Sequence, residues 1–251
     1  MYNKVKDNAI EFIKSTSDYE VFNNLDMNVF AYENKGYTSK HVFKQSFVGK
    51  TFISIDMVKA NFYSLYNYAP SIFDGNPFWK KFMQKFTNNE HILESKYIRQ
   101  VIMGNCNPKR QTTYEKYLMD KVLTRLFDKG VTPEMVACFV TDEIDSDVTT
   151  IKDDLEIINT IERIASSFSL PLTSNMYTLW KINGTDGYME VKNDTLTPEN
   201  ITFKCLNSIN MTFVLRKIIK EDVHSLDMVF EFEKKLAMLL DVPEIDFTKE
   251  R

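Results

Sequence analysis

Val140-Thr141-Asp142-Glu143 closes an apolar, strand-like run that begins at Met135. It reads together with a second run far upstream, Thr51 to Ile55, which stops at Asp56. An apolar strand that ends on a carboxylate places that carboxylate at a sheet edge, within reach of solvent and of a metal ion. If the two strands lie side by side, two like charges meet, and a divalent cation is their natural neutraliser. That is the layout of a two-metal phosphoryl-transfer site. The same pattern also fits aspartates that simply end strands at turns. Spacing alone leaves both readings open.

The flanking residues add a resemblance. Val140-Thr141-Asp142-Glu143-Ile144 resembles the Val-His-Asp-Glu-Leu segment, motif C, of family A DNA polymerases. Asp56-Met57-Val58-Lys59-Ala60-Asn61-Phe62 resembles their motif A, an aspartate that ends a strand before a helical turn. Lys96-Tyr97-Ile98-Arg99-Gln100-Val101-Ile102-Met103-Gly104 is similar to the fingers helix, motif B, with Arg99 at the lysine position and Met103 at the aromatic one. The motifs occur in the family's order, and the resemblance spans roughly residues 50 to 192.

The resemblance implies an α+β fold, with an antiparallel palm-like sheet, helices packed on one face and a small fingers-like helical insertion at about 76–130. Residues 1–193 would form this catalytic unit. Residues 194–251 would be a C-terminal strand and helical extension, either within the same domain or appended to it. On this resemblance the chain would be a reduced form that lacks the family's thumb and exonuclease domains. By the same resemblance, Asp56 and Asp142 would hold two Mg2+ (or Mn2+) ions, with Glu143 auxiliary. Lys96, Arg99, Met103 and Asn61 would contact the nucleotide, joined by Lys109 and Arg110 from the cluster of cations around the fingers helix. The implied activity is nucleotidyl transfer from nucleoside triphosphates, with a nucleic-acid primer or template as partner. Two alternatives stand beside it: a non-catalytic palm that binds nucleic acid or protein, and a palm synthase of a small nucleotide product. Asn61 stands where the family carries a glutamate that crowds the sugar 2′ position, so ribonucleotides are expected to be accepted.

Composition sets the outer bounds. The chain has 251 residues, 43% hydrophobic and 26% charged, as in ordinary globular proteins. A net charge of −4 argues against coating nucleic acid non-specifically but leaves room for a local basic groove. No apolar run approaches the ~18 residues of a membrane helix, so no membrane partner is expected. Cys106, Cys138 and Cys205 form neither a disulfide framework nor a zinc pattern, which points to a reducing compartment, the cytosol. Richness in Asn, Lys, Ile, Phe and Tyr suggests an AT-rich genome such as that of a large virus, in which case the compartment is the host cytoplasm. His41, His91 and His224 are scattered and read as surface or satisfied residues.

Taken in order, residues 4–25 read as amphipathic helix. Strands are expected at Val29–Glu33 and Lys40–Val48 around an Asn34-Lys35-Gly36 turn. Asn76-Pro77 reads as the start of a helix reaching about Phe86, and Asn88 or Asn89 caps a helix running to Gly104. A long helix follows over 109–129, stopped by Gly130. Met135–Val140 and Asp147–Lys152 form an expected hairpin whose turn carries Asp142, Glu143 and Asp145. A helix over 153–169, a hairpin of 172–182 with 188–191, and a strand at 201–206 come next. Helices at 208–220 and 225–240 close the chain.

Overall fold

The computed structural model describes residues 2–33, 42–150 and 154–249. Their strands are β1 (Thr51–Met57), β2 (Val136–Phe139), β3 (Glu143–Asp147), β4 (Leu172–Asn183), β5 (Tyr188–Val191), β6 (Ile201–Lys204), β7 (Val229–Phe232), β8 (Lys235–Met238) and β9 (Asp246–Thr248). The helices are α1 (Tyr2–Ser15), α2 (Ser17–Asn24), α3 (Ala60–Tyr68), α4 (Trp79–Met83), α5 (Glu90–Glu94), α6 (Lys96–Gly104), α7 (Pro108–Phe127), α8 (Asp154–Phe168) and α9 (Ser208–Ile219). The main sheet runs β2-β3-β1-β4-β5-β6, with β9 also paired to β4, and every pairing is antiparallel. The fold is therefore α+β, as the sequence led us to expect.

Alternation along β1 sorts the two faces of the sheet. Ile53, Ile55 and Met57 are at most 2% exposed and point into the large core. There they join Ala9 and Ile13 of α1, Phe62 and Leu65 of α3, Ile102 of α6, Leu118 and Val122 of α7, and Ile161 of α8. The helices thus cover one face. Phe62 is the aromatic hub of that core, with ring centroids 4.6 Å from Phe73, 4.8 Å from Tyr63 and 5.7 Å from Trp79, mostly edge-on as ring quadrupoles prefer. α9 lies on the same side further along, where Phe213, Val214 and Ile218 cover Ile182, Met189 and Val191.

The opposite face carries Phe52, Ser54 and Asp56. Phe52 is covered by a small cluster with Val42, Cys138, Tyr177 and Leu179, and beyond it the face turns polar. β6 and β9 hydrogen-bond into the sheet that holds β4 and β5, so the C-terminal segment shares the main sheet. Gly49 and Gly184 let the tail pass close, because a Cβ at either would sit 2.2 Å or 2.1 Å from the carbonyl oxygens of Lys249 and Glu244.

Several local expectations are corrected. Met27–Phe30 is a 3-10 turn, not strand, because the Asp26 carboxylate accepts from the Asn28 N–H and caps it. The described part of the next expected strand holds only a 3-10 turn at Gln45–Phe47, and the Asn34–Gly36 turn lies outside the described residues. Asn76-Pro77 does not open α4, since the Asn76 amide donates back to the Phe73 carbonyl at 3.0 Å and the helix begins at Trp79. The helix expected to reach Gly104 unbroken is split at Ser95, whose hydroxyl accepts from the Ile98 N–H at 3.2 Å and starts α6. β3 begins at Glu143, so the β2–β3 turn is tighter than expected, and Glu143 and Asp145 are strand residues. The last expected helix, 225–240, is a 3-10 turn followed by the β7–β8 hairpin. Glu233 and Lys234 have φ values of 50° and 63° there, the pair of left-handed residues that a tight hairpin turn requires.

Candidate functional site

Asp56 is the exposed penultimate residue of β1, between two strands of opposite direction. Its cross-strand neighbours are Glu143 on β3 and Thr173 on β4. The Met57 N–H donates to the Asp142 carbonyl at 2.9 Å, which lays the Asp142 turn against the end of β1. Three acidic residues from segments far apart in sequence thus gather at one sheet end. The Ser54 hydroxyl, one pleat back on the same face, donates to Glu143 Oε1 at 2.8 Å.

The electrostatics of this end are lopsided. Desolvation by the surrounding protein raises the Asp56 carboxyl from 3.8 to about 6, and repulsion from Asp142 and then Glu143 adds to the rise. Asp142 is raised mainly by burial, with Glu143 contributing. Lys96, at the start of α6, is the cation that pulls both back down. It is therefore the predicted phosphate-side cation that does face the carboxylates.

Two further carboxyls extend the acidic row, and the sequence reading passed over both as site residues. Glu115 of α7 is 7% exposed, takes a hydrogen bond from the Ser64 hydroxyl at 3.4 Å, and is pushed to about 7 by burial and then by Asp142. Its signal was there: Gln111, Tyr114, Leu118, Met119 and Val122 are buried on α7, and Glu115 occupies a phase where that stripe demands an apolar residue. Asp145 of β3 lies deeper than Glu143, 5% exposed, with the Tyr177 hydroxyl donating to it at 3.1 Å. Burial, then the Glu143 charge, raises it to about 7. Alternation in β3 signals it, because Asp145 shares the face of Glu143 and sits opposite Ser54.

The remaining predicted residues divide. Arg99 is 8% exposed, unlike the exposed Lys96 on the same helix. Its Nε has no hydrogen-bond partner among the described residues, and burial lowers its pKa. Asn61, in the first turn of α3, has a buried Oδ1 with no donor among the described residues. Met103 is 1% exposed in the core and is not available to stack on a base. Arg110 is also corrected as a nucleotide contact: its Nε donates to the Phe22 carbonyl at 3.0 Å and its Nη2 to the Leu25 carbonyl, so it ties α7 to α2. Lys109 is an exposed residue of the first turn of α7. An open groove of about 1040 Å³ begins at Thr173 beside Asp56 and is lined further on by Tyr63, Tyr66 and Phe78.

The donor set suits a hard divalent cation: oxygen ligands only, crowded, under-compensated by cations, and carried by the backbone ladder. Among the described residues no three His, Cys, Asp or Glu side chains form a ready metal cage. The fit therefore rests on the two aspartates and on their unbalanced charge.

No protein-family model matches the chain, and neither a curated protein nor a solved structure matches it.

The raised carboxyls set a pH dependence of stability. A carboxyl whose folded pKa lies above its unfolded value binds its proton more tightly when folded. Its contribution is complete below the unfolded value near 3.8 and is lost as pH rises through about 6. Asp56→Asn removes that loss. We expect the variant to melt higher than the wild type at pH 8, with the gap closing as pH falls toward 4. Thermal unfolding across that range checks it, and a gap that does not change with pH contradicts it.

Proposed function

We propose that this chain is a minimal nucleotidyltransferase of the family A palm type, transferring nucleoside monophosphates from triphosphates. The observation that carries the reading is the juxtaposition of Asp56 and Asp142, joined through the 2.9 Å bond from the Met57 N–H to the Asp142 carbonyl. The ordered motifs and the antiparallel sheet support it, since motif resemblance alone did not require those segments to meet. Asp56 and Asp142 would hold the cations. Magnesium or manganese bound there would supply Lewis-acid activation of a 3′ hydroxyl and neutralise charge on the triphosphate.

The chain's own residues prepare that chemistry. With its pKa pushed up to about 6, Asp56 keeps a small part of its proton near neutrality and releases it when a cation binds, and burial shifts Asp142 in the same direction. Glu143, anchored by Ser54, keeps the local field negative without being displaced. Lys96 offers an ammonium on the same side for phosphate oxygens. Arg99, a buried guanidinium whose Nε has no partner among the described residues, is a second cation on the same helix, and the cost of that unmade bond is offset if a phosphate reaches it.

Labelled nucleoside triphosphates incubated with Mg2+, with and without primer, test the reading. Primer-dependent incorporation is expected, and a primer-independent small product would instead favour the synthase reading. Asp142→Asn should cut incorporation by roughly 10²-fold or more with folding intact, and Glu143→Gln should cut it less. Undiminished turnover in Asp142→Asn removes the assignment.

Asn61 makes a separate expectation about the sugar. It is one methylene shorter than the glutamate of motif A and uncharged, which leaves room beside the sugar 2′ carbon. The wild type is expected to use ribonucleotides at least as readily as deoxyribonucleotides, and Asn61→Glu to shift the preference toward the deoxy form. Competition between paired triphosphates measures it. A strong native preference for deoxyribonucleotides contradicts it.

A further inference from the structure

The β7–β8 hairpin forms a two-stranded sheet of its own, paired to no other described strand. A lone hairpin is marginal in water and normally turns its apolar side to the body and a polar side to solvent. This one does not. Its register sets Val229 opposite Met238 and Glu231 opposite Leu236 on one face, with Phe230 and Ala237 on the other. Phe230 and Ala237 are half-buried. On the first face Leu236 is 83% and Met238 64% exposed, while Leu240, two residues further, is 92% exposed. Leu226, just before the hairpin, is 82% exposed. Isolated exposed leucines mean little, but an alternating ladder of them on a solvent-facing strand marks a contact surface.

Charge narrows the occupant. Residues 221–246 carry eight carboxylates against two lysines, a formal −6, whereas the whole chain carries −4, so the remainder is +2. Arg216 pairs with Glu221 and Asp227, and Lys217 with Asp246, which leaves Glu231, Glu233 and Asp241 as the exposed carboxylates interleaved with the apolar ladder or flanking it. An acidic rim repels nucleic acid and anionic lipid, and it opposes a second copy of the same face. It attracts a basic segment. We propose that the hairpin face is a docking surface for a partner protein's basic amphipathic helix, with apolar side chains on the leucine ladder and lysines or arginines against the carboxylate rim. This surface is independent of the nucleotidyltransferase reading.

The probe is a synthetic peptide of about 18 residues, with leucines on one helical face and lysines on the other. Controls are the same composition scrambled and the same pattern with glutamate in place of lysine. Fluorescence anisotropy on the full chain should show binding of the basic amphipathic peptide alone, weakening with added salt. Leu236→Glu combined with Leu240→Glu should weaken it by roughly tenfold or more. Both positions are over 80% exposed, so the unfolding midpoint should not fall. Glu231→Lys should weaken the basic peptide without touching the ladder, which keeps the test informative if the double variant folds poorly. Equal binding of all three peptides, or of wild type and both variants, overturns the proposal. So does self-association in sedimentation that the leucine variant abolishes, or co-pelleting of the wild type with phosphatidylcholine–phosphatidylserine vesicles.

Discussion

Everything at the candidate site depends on the register of β1 between β3 and β4. Side chains alternate strictly along a strand, so a one-residue slip would send Ile53, Ile55 and Met57 to the open face and turn Asp56 into the core. Burying a carboxylate there while exposing three core side chains makes the slip prohibitive. The hydrophobic pattern that folds the strand is thus what aims Asp56 outward. The β2–β3 turn then has one place to sit, with the Asp142 carbonyl on the Met57 N–H.

That placement has an electrostatic cost. Asp56, Asp142, Glu143, Asp145 and Glu115 lie near one another, and Lys96 is the cation that opposes the first two. Crowded carboxylates hold protons near neutrality or take up a cation, and each outcome lowers the repulsion. A fold that needed only stability has apolar alternatives at Glu115, which already faces the core side of α7. On the proposed reading this stored repulsion is what a divalent metal relieves. The hydrogen bonds from Ser54 to Glu143 and from Tyr177 to Asp145 hold the outer members of the row in place while the two aspartates remain available.

Much of this frame was legible in the chain. Strands β1, β2, β4 and β5, the long α7 and α8, and the convergence of Asp56 with Asp142 follow from apolar runs and their carboxylate ends. The failures have physical causes. Val29–Glu33 has strand-like composition, yet an aspartate cap draws Val29 and Phe30 into a 3-10 turn and Ala31–Glu33 pair with no strand among the described residues. Residues 229–238 fit both helical and alternating patterns, and two left-handed backbone positions that no glycine announces decide for the hairpin. Cation clustering around α6 could not separate Lys96, which faces the carboxylates, from Arg110, which is spent on backbone carbonyls of α2 and the residue after it. Met103 fell to the core because the same helix face must pack against its neighbours.

The proposed chemistry requires that Asp56 and Asp142 together bind divalent cations. A crystal soaked in manganese and measured at the manganese absorption edge addresses it directly. Anomalous density is expected between the two carboxylates, with two peaks about 3.5–4 Å apart once a nucleoside triphosphate is also bound. Density elsewhere in the molecule, with none at these aspartates, would contradict it.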